Sequence, residues 1–409
     1  MRSGRMSQRM RFFAVPLALG VLLLSLPSFA QEDVNGLFRY PDVSGDRVVF
    51  TSEGDLWTAS LNGGDAVRLT RDDGREWYAH FSPDGQWIAF SAQYEGNTDV
   101  YVIPSSGGEP RRLTYHGARD EVVGWTPDSR NIVFRSPRIQ PSRVWQLYTI
   151  PVEGGFEQEF GLDRGTRISF EPGGTRFAFN RLRREERPWK RYRGGWAMDI
   201  WVGDLGTMQF DKVTSFEGTD FFPMWIGDRI YFLSDRSGRF NLFSMAPDGS
   251  GIRQHTFEEE WDLSNASTDG KTIIYQKKYD LYAYDIASGE SRLLDIHLPS
   301  DRFRARERLV KNPGRYIDSY TLPNEARRIA IAARGEVFTF PVEKSGYIRR
   351  LMRNPDSREK YVAFSPDGKK VAIMSDASGE EEIWIASSDG REEAKRLTTG
   401  GDTWRFPMV

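Results

Sequence analysis

FSPDGQWIAF, residues 81–90, returns near the other end of the chain as FSPDGKKVAI, residues 364–373. Pro83 presets φ at the first corner of a turn, and Asp84-Gly85 supplies the position that tolerates φ > 0. The phrase therefore reads as two strands reversed around a tight turn. Six further copies follow the same grammar: VSGDRVVF (43–50), WTPDSRNIVF (125–134), FEPGGTRFAF (170–179), WIGDRIYF (225–232), ASTDGKTIIY (266–275) and LPNEARRIAI (322–331). After each comes a polar-aliphatic-aromatic triplet, such as Asp55-Leu56-Trp57, Asp99-Val100-Tyr101 or Glu382-Ile383-Trp384, and in several units a closing Arg-Leu-Thr. The residue opening each triplet is expected to bond back to the backbone of the preceding loop, with the other two packing on opposite sides of a strand. Calcium loops also use acidic turns, but the spacing of oxygen ligands here is wrong for one.

Units that start 38 to 56 residues apart, each with room for four short strands, are the mark of β-propeller blades. No sustained apolar period of 3.6 residues appears beyond the first thirty residues. Aromatic residues make up 13% and glycines number 39, which suits half-buried strands and many turns. The fold expected is all-β: a six-bladed β-propeller over 37–294, a polar linker over 295–320, and over 321–409 the first two blades of a second, incomplete propeller. The boundary rests on DIHLPSDRFRARERLVKNPGRYIDSY (295–320), which lies outside the repeat grammar. Six blades can close a ring, whereas two would leave open faces and edges. Thr70 to Phe81, Thr114 to Trp125 and Thr214 to Trp225 each span eleven residues, as does Thr398 to Val409. The sequence is thus expected to be the front part of a longer polypeptide.

Residues 1–30 read separately. Arg2, Arg5, Arg9 and Arg11 precede an apolar run from Phe12 to about Leu26, then Ser28-Phe29-Ala30. This is a cleavable secretory signal cut after Ala30; the run contains Pro16 and falls short of the roughly 20 residues a membrane span needs. The expected location is periplasmic or secreted, with no membrane span after cleavage. The formal charge of −2 becomes −2 − 4 = −6 once the four arginines leave. That charge offers nucleic acid no basic footprint. Cysteine is absent, which suits an oxidising compartment and excludes thiol chemistry.

Candidate chemistry is sparse. His80, His116, His255 and His297 are scattered without metal-ligand spacing, no Gly-x-Ser-x-Gly elbow or phosphate loop occurs, and the serines of Ser-Pro-Asp-Gly are turn residues. No cofactor and no metal are expected. One basic cluster stands out, RLRREERPWKRYRGG (181–195), inserted between the second and third strands of the fourth unit. It reads either as a solvated loop or as a cationic lip, with Lys190, Arg191 and Arg193 guiding peptide carboxylates or docking another domain.

GDRVVFTSEGDLW (45–57), RRLTYHG (111–117), PWKRYRGGWAMDIW (188–201) and GDRIYFLSDRSGRFNLFSM (227–245) together resemble the amino-terminal portion of the tricorn protease family. The resemblance runs from about Leu37 to the end of the chain. It implies a large serine peptidase in which a six-bladed and then a seven-bladed propeller channel peptides, followed by a PDZ module embedded in distal catalytic domains. A homo-oligomer is compatible with it. Because the catalytic residues of the family lie in those distal domains, no catalytic residue is carried onto this chain. The family also holds the peptide carboxy-terminus on two adjacent arginines in the loop entering the third unit. Here that loop reads RLTYHGARDEVVGW, and Arg119 alone stands near the expected place. A runner-up is an interaction scaffold similar to the Tol-system propeller of the bacterial envelope; a third reading is the propeller lid of a prolyl-oligopeptidase-type enzyme.

Overall fold

The computed structural model describes residues 36–139, 144–185, 191–302, 307, 309–323, 327–343, 346–354 and 356–400. Residues 1–35, which include the stretch read as a signal, lie outside them, as do Lys190 and the nine carboxy-terminal residues. The described residues form eight four-stranded sheets, each built from strands that follow one another along the chain. The repeated turn explains the first hairpin of each sheet. Ser82 Oγ accepts from Trp87 N at 2.9 Å and donates to Asp84 Oδ1, which in turn accepts from Gln86 N at 3.1 Å. Thr126 with Asp128 and Ser365 with Asp367 repeat the circuit. Gly85 and Gly368 occupy the left-handed corner, both at φ 70°.

The Arg-Leu-Thr motif ties the outermost strand to the third. Thr70, Thr114, Thr214, Thr256 and Thr398 each accept, at 2.8–3.0 Å, from the backbone N–H of the middle triplet residue (Leu56, Val100, Ile200, Leu242 and Ile383). Of the polar residues opening the triplets, Asn241 bonds back to the preceding loop as expected, its Nδ2 donating to Arg239 O at 3.4 Å, but four others turn the other way. Asp55 pairs with Arg68, Asp99 with Arg112 at 2.8 Å, Asp199 with Lys212 at 3.4 Å and Glu336 with Arg350 at 2.6 Å, all reaching outward to the fourth strand. The cation of the motif stands opposite the triplet's aromatic, two residues along the same face from the acid, so a diagonal charge-assisted bond is available there that the preceding loop cannot match.

Alternation within each strand feeds two interfaces. Phe50 packs toward the sixth sheet with Ile274 and Leu281, whereas Val49, its neighbour in sequence, packs toward the second sheet with Ala79 and Ile88. Apolar clusters of this kind lie between sheets one and two, two and three, three and four, four and five, five and six, and six and one. The cycle of contacts among the first six sheets is therefore closed. Sheets seven and eight share a separate cluster built on Ala330, Val337, Val362 and Ile373.

The seam between sheets six and one has its own fastening. Ile296–His297, within the stretch read as a linker, pairs in parallel with Gly64–Asp65, and Gly64 N and Ala66 N donate to Asp295 O and His297 O, each at 2.8 Å. His297 Nδ1 lies 2.8 Å from Asp65, and Phe38 N donates to Tyr279 O at 3.1 Å. Gly63, at φ 88°, is required: a Cβ there would stand 2.6 Å from Asp295 O. The inner strand of the seventh sheet begins at Ile317.

Two outcomes follow. Thr114→Val strands the buried Val100 N–H and should cost about 1–3 kcal/mol, read as a lower denaturant midpoint at unchanged m-value. A segment of residues 31–294 should melt below one of residues 31–300, because the shorter chain loses the strand pair and the burial of Ile296; each kcal/mol lost lowers the midpoint by roughly 2–4 °C.

Candidate functional site: the axial channel

The innermost strands of five of the six sheets carry a recurring irregularity, and that of the fourth, Arg167–Phe170, pairs in regular register. In the five, the register shifts between Arg39 and Asp42, Trp77 and His80, Val122 and Gly124, Phe221 and Met224, and Ser264 and Ser267. Inside four of these bulges Tyr40, Tyr78, Phe222 and Asn265 adopt φ of 49–54°, a conformation that bulky residues reach only when their surroundings enforce it. The bulges turn side chains toward the axis. Tyr40 and Tyr78 meet edge to face with centroids 4.7 Å apart, and with Arg167 and Phe222 they surround a narrow space at the waist.

A cavity opens on either side of this waist. One, of about 500 Å³, is lined by the ends of all six inner strands, from Asp42–Ser44 of the first to Ala266–Thr268 of the sixth. The other, of about 480 Å³, is lined by the beginnings of the first three and is rich in charge: Arg39, Glu53, Arg75, Glu76, Arg119, Glu121 and Arg183. The structure thus places Arg119 at a cavity wall, 49% exposed and 3.4 Å from Glu121.

Four of the described cations of the basic insert go elsewhere. Arg191 pairs with Glu380 of the eighth sheet at 2.7 Å, and Arg193 with Asp235 at 2.7 Å. Arg181 pairs with Asp163, and Arg184 lies 3.5 Å from the centroid of Trp196. Arg119, Arg191 and Arg193 are consequently not gathered at one place. Arg183 and Glu185, which the sequence did not single out, turn into the axis. Arg183 donates to both oxygens of Glu121 at 3.2 Å, while Glu185 pairs with Arg135 and lies 3.4 Å from Arg167.

Arg135 is the centre of this network. It is fully buried, donates from Nε to Glu121 at 2.9 Å and to Thr166 O at 3.2 Å, and lies over the rings of Tyr78 and Trp145. Its signal in the sequence is positional: it occupies the register that holds Thr51, Ser91 and Asn180 in sister sheets. Burial by itself would push the Glu185 carboxyl up, but Arg135, Arg167 and Arg183 together outweigh it and hold the group at about 2. Glu121 is likewise held below the usual carboxylate range against the effect of burial, by Arg135 and Arg183. Glu76 behaves oppositely. Burial pushes it up to about 7 although Thr70, Tyr94 and Leu56 N–H bond to it.

The histidines have local partners. His116 Nδ1 accepts from Ala118 N, and His255 lies between Ser244 at 2.7 Å and Tyr284 at 3.0 Å. That serine-histidine-tyrosine chain resembles a catalytic relay only in composition. Ser244 is fully buried, and Arg229 Nε donates to its oxygen at 2.9 Å. Among the described residues no three His, Asp or Glu side chains gather as a metal site, and no helix is long and apolar enough to cross a membrane.

Glu185→Ala should lower stability by about 3–5 kcal/mol, measured by denaturant unfolding, because it leaves Arg135 and Arg167 buried without their shared carboxylate. Titrating Glu76 has a definite sign. Between pH 4.5 and about 7 the folded carboxyl keeps its proton while the unfolded one has released it, so its contribution to stability falls as pH rises. Glu76→Gln should therefore gain stability relative to wild type as pH rises through that window, read as the difference in melting temperature.

Residues 35–290 match the family model described as the Tricorn protease N-terminal beta propeller domain. The chain is similar to Tricorn protease homolog 1 of Streptomyces coelicolor, 33% identical over 90% of this chain and 35% of that protein. It is also similar to the Tricorn protease homolog of Saccharolobus solfataricus, 30% identical over 87% of this chain and 33% of that one. The crystal structure of the tricorn protease superposes with a TM-score of 0.62 at 25% identity, covering 89% of this chain and 35% of that structure. The chain thus spans about a third of the length of the relatives it matches. A match across more than half of its residues, on a ring of four-stranded sheets around an axial cavity, makes this chain a member of the tricorn protease family.

Proposed function

We propose that this chain is the non-catalytic propeller portion of an exported tricorn-like serine peptidase, which channels or filters peptides for a distal catalytic domain. The observation that carries the reading is the cavity shared by the inner strands of all six sheets, narrowed at a waist of Tyr40, Tyr78 and Phe222. A cavity of that size suits a short peptide or the end of an extended one and excludes a folded protein. In this reading residues 37–294 are the first propeller, 321–409 begin the second, and distal PDZ and peptidase domains belong to the same full-length protein, which is compatible with a homo-oligomer. Arg119, half-exposed at the charged cavity, contacts the peptide carboxylate.

The test uses the complete enzyme. Arg119→Ala should lower kcat/KM for peptides with a free carboxy-terminus by roughly tenfold, about 1.4 kcal/mol, and leave their amidated counterparts unchanged. Equal loss on both sets would contradict the role. A protein that binds partner proteins from the envelope but processes no peptide would favour the scaffold reading instead. Export is checked by sequencing the amino-terminus of protein recovered from the periplasm or medium, which should begin at Gln31.

A further inference from the structure

Three guanidinium groups, Arg135, Arg167 and Arg183, surround two carboxylates, Glu121 and Glu185, at the waist of the channel. The sum leaves one buried positive charge. Arg167 carries that surplus: its side chain is 10% exposed, its contact with Glu185 is long at 3.4 Å, and its Nε has no protein hydrogen-bond partner among the described residues. The guanidinium is held between the rings of Tyr78 and Phe222, with its carbon 4.8 and 4.6 Å from their centroids. His80 lies beside it. It lines the same two spaces as Arg167, and its Nε2 likewise lacks a protein partner. Two residues that line an axial cavity thus each bury a nitrogen without a protein acceptor, in surroundings where an unpaired cation is costly.

We infer that Arg167 and His80 form a site for one carboxylate at the waist of the axial channel, distinct from the mouth where Arg119 stands. The acids nearby do not occupy that role. Asp42, 3.5 Å from His80 Nδ1, already accepts from Phe81 N at 2.7 Å and from Ser267. Glu171 is paired with Arg176, and Asp269 accepts from the backbone of its own turn and from Gly45 N. The ring faces of Tyr78 and Phe222 fix the guanidinium plane, so a carboxylate meets a preorganised donor. The inference rests on the proposed peptide channel only for the source of the carboxylate, which is either a chain terminus or an Asp or Glu side chain.

The experiment uses the whole chain with arginine Nε labelled, titrated with acetate and, as its neutral counterpart, acetamide. Acetate should move one Nε–H resonance saturably while acetamide leaves it in place. Arg167→Met should remove that resonance and weaken acetate binding at least tenfold. Absence of a saturable shift, an equal response to acetamide, or persistence of the shifted resonance in the variant would overturn the site. If Arg167→Met does not fold, the acetate and acetamide comparison on the wild-type chain still decides. Two peptides then assign the source: N-acetyl-trialanine with a free terminus, and N-acetyl-Ala-Glu-Ala amide. Acetate binding with neither peptide bound would overturn the substrate assignment, and it would do so independently of the Arg119 experiment on the complete enzyme.

Discussion

Each of the first six sheets is apolar on both faces, and that single constraint organises the rest. A sheet such as the first, with Phe50 facing one neighbour and Val49 the other, has no stable solution with one side in water. Stacking solves the problem for the sheets in the middle, and only a ring solves it for the first and last. The burden therefore falls on the seam between sheets one and six. There the apolar cluster around Phe38, Ile274 and Ile296 is reinforced by backbone bonds from Gly64 and Ala66. Sheets seven and eight show the contrast. Leu113 of the second sheet is 3% exposed, while the equivalent Leu397 of the eighth is 64% exposed.

Closing a ring creates an axis, and the axis is where the sequence departs from its own repeat. The hairpin turns are nearly interchangeable, whereas the inner strands present tyrosine, phenylalanine, asparagine and arginine around the waist. Backbone held at positive φ under three aromatic side chains is costly, by about 1–3 kcal/mol for each residue. The large inter-sheet cores hold those bulges in place. Glu185 comes into the waist from an insert that is otherwise tied down by its own ion pairs, so a surface elaboration of one sheet completes the interior of all six.

The propeller was legible in the sequence because its determinants are local: a Ser-Pro-Asp-Gly turn, alternation with period two, and a spacing that admits four strands. The partner of four triplet acids was misread because residues such as Asp55 and Arg68 are thirteen positions apart, with a strand reversal between them that pattern alone does not register. The site was less legible still. Arg119 was singled out through the family resemblance, as the arginine nearest the place of a paired clamp, and the basic insert by its composition. The groups at the waist come from separate sheets, and what unites Arg135, Arg167, Glu121 and Glu185 is the packing of the third sheet against the fourth, a proximity between distant residues that the repeat pattern does not encode. A weak trace existed, since an arginine in the middle of NIVFRS interrupts a run of otherwise small or apolar residues.

Glu380 gives the joint between the ring and the eighth sheet a particular mechanical character. It is gripped by Arg191 at 2.7 Å and by Arg239 at 2.9 Å, beside a cleft of about 680 Å³, with side chains that keep contact with solvent. Such a joint behaves as an ionic pin rather than as glue. It resists sliding in dilute electrolyte and slackens as ionic strength shortens the reach of its charges, so the surrounding salt would set how firmly the contact holds.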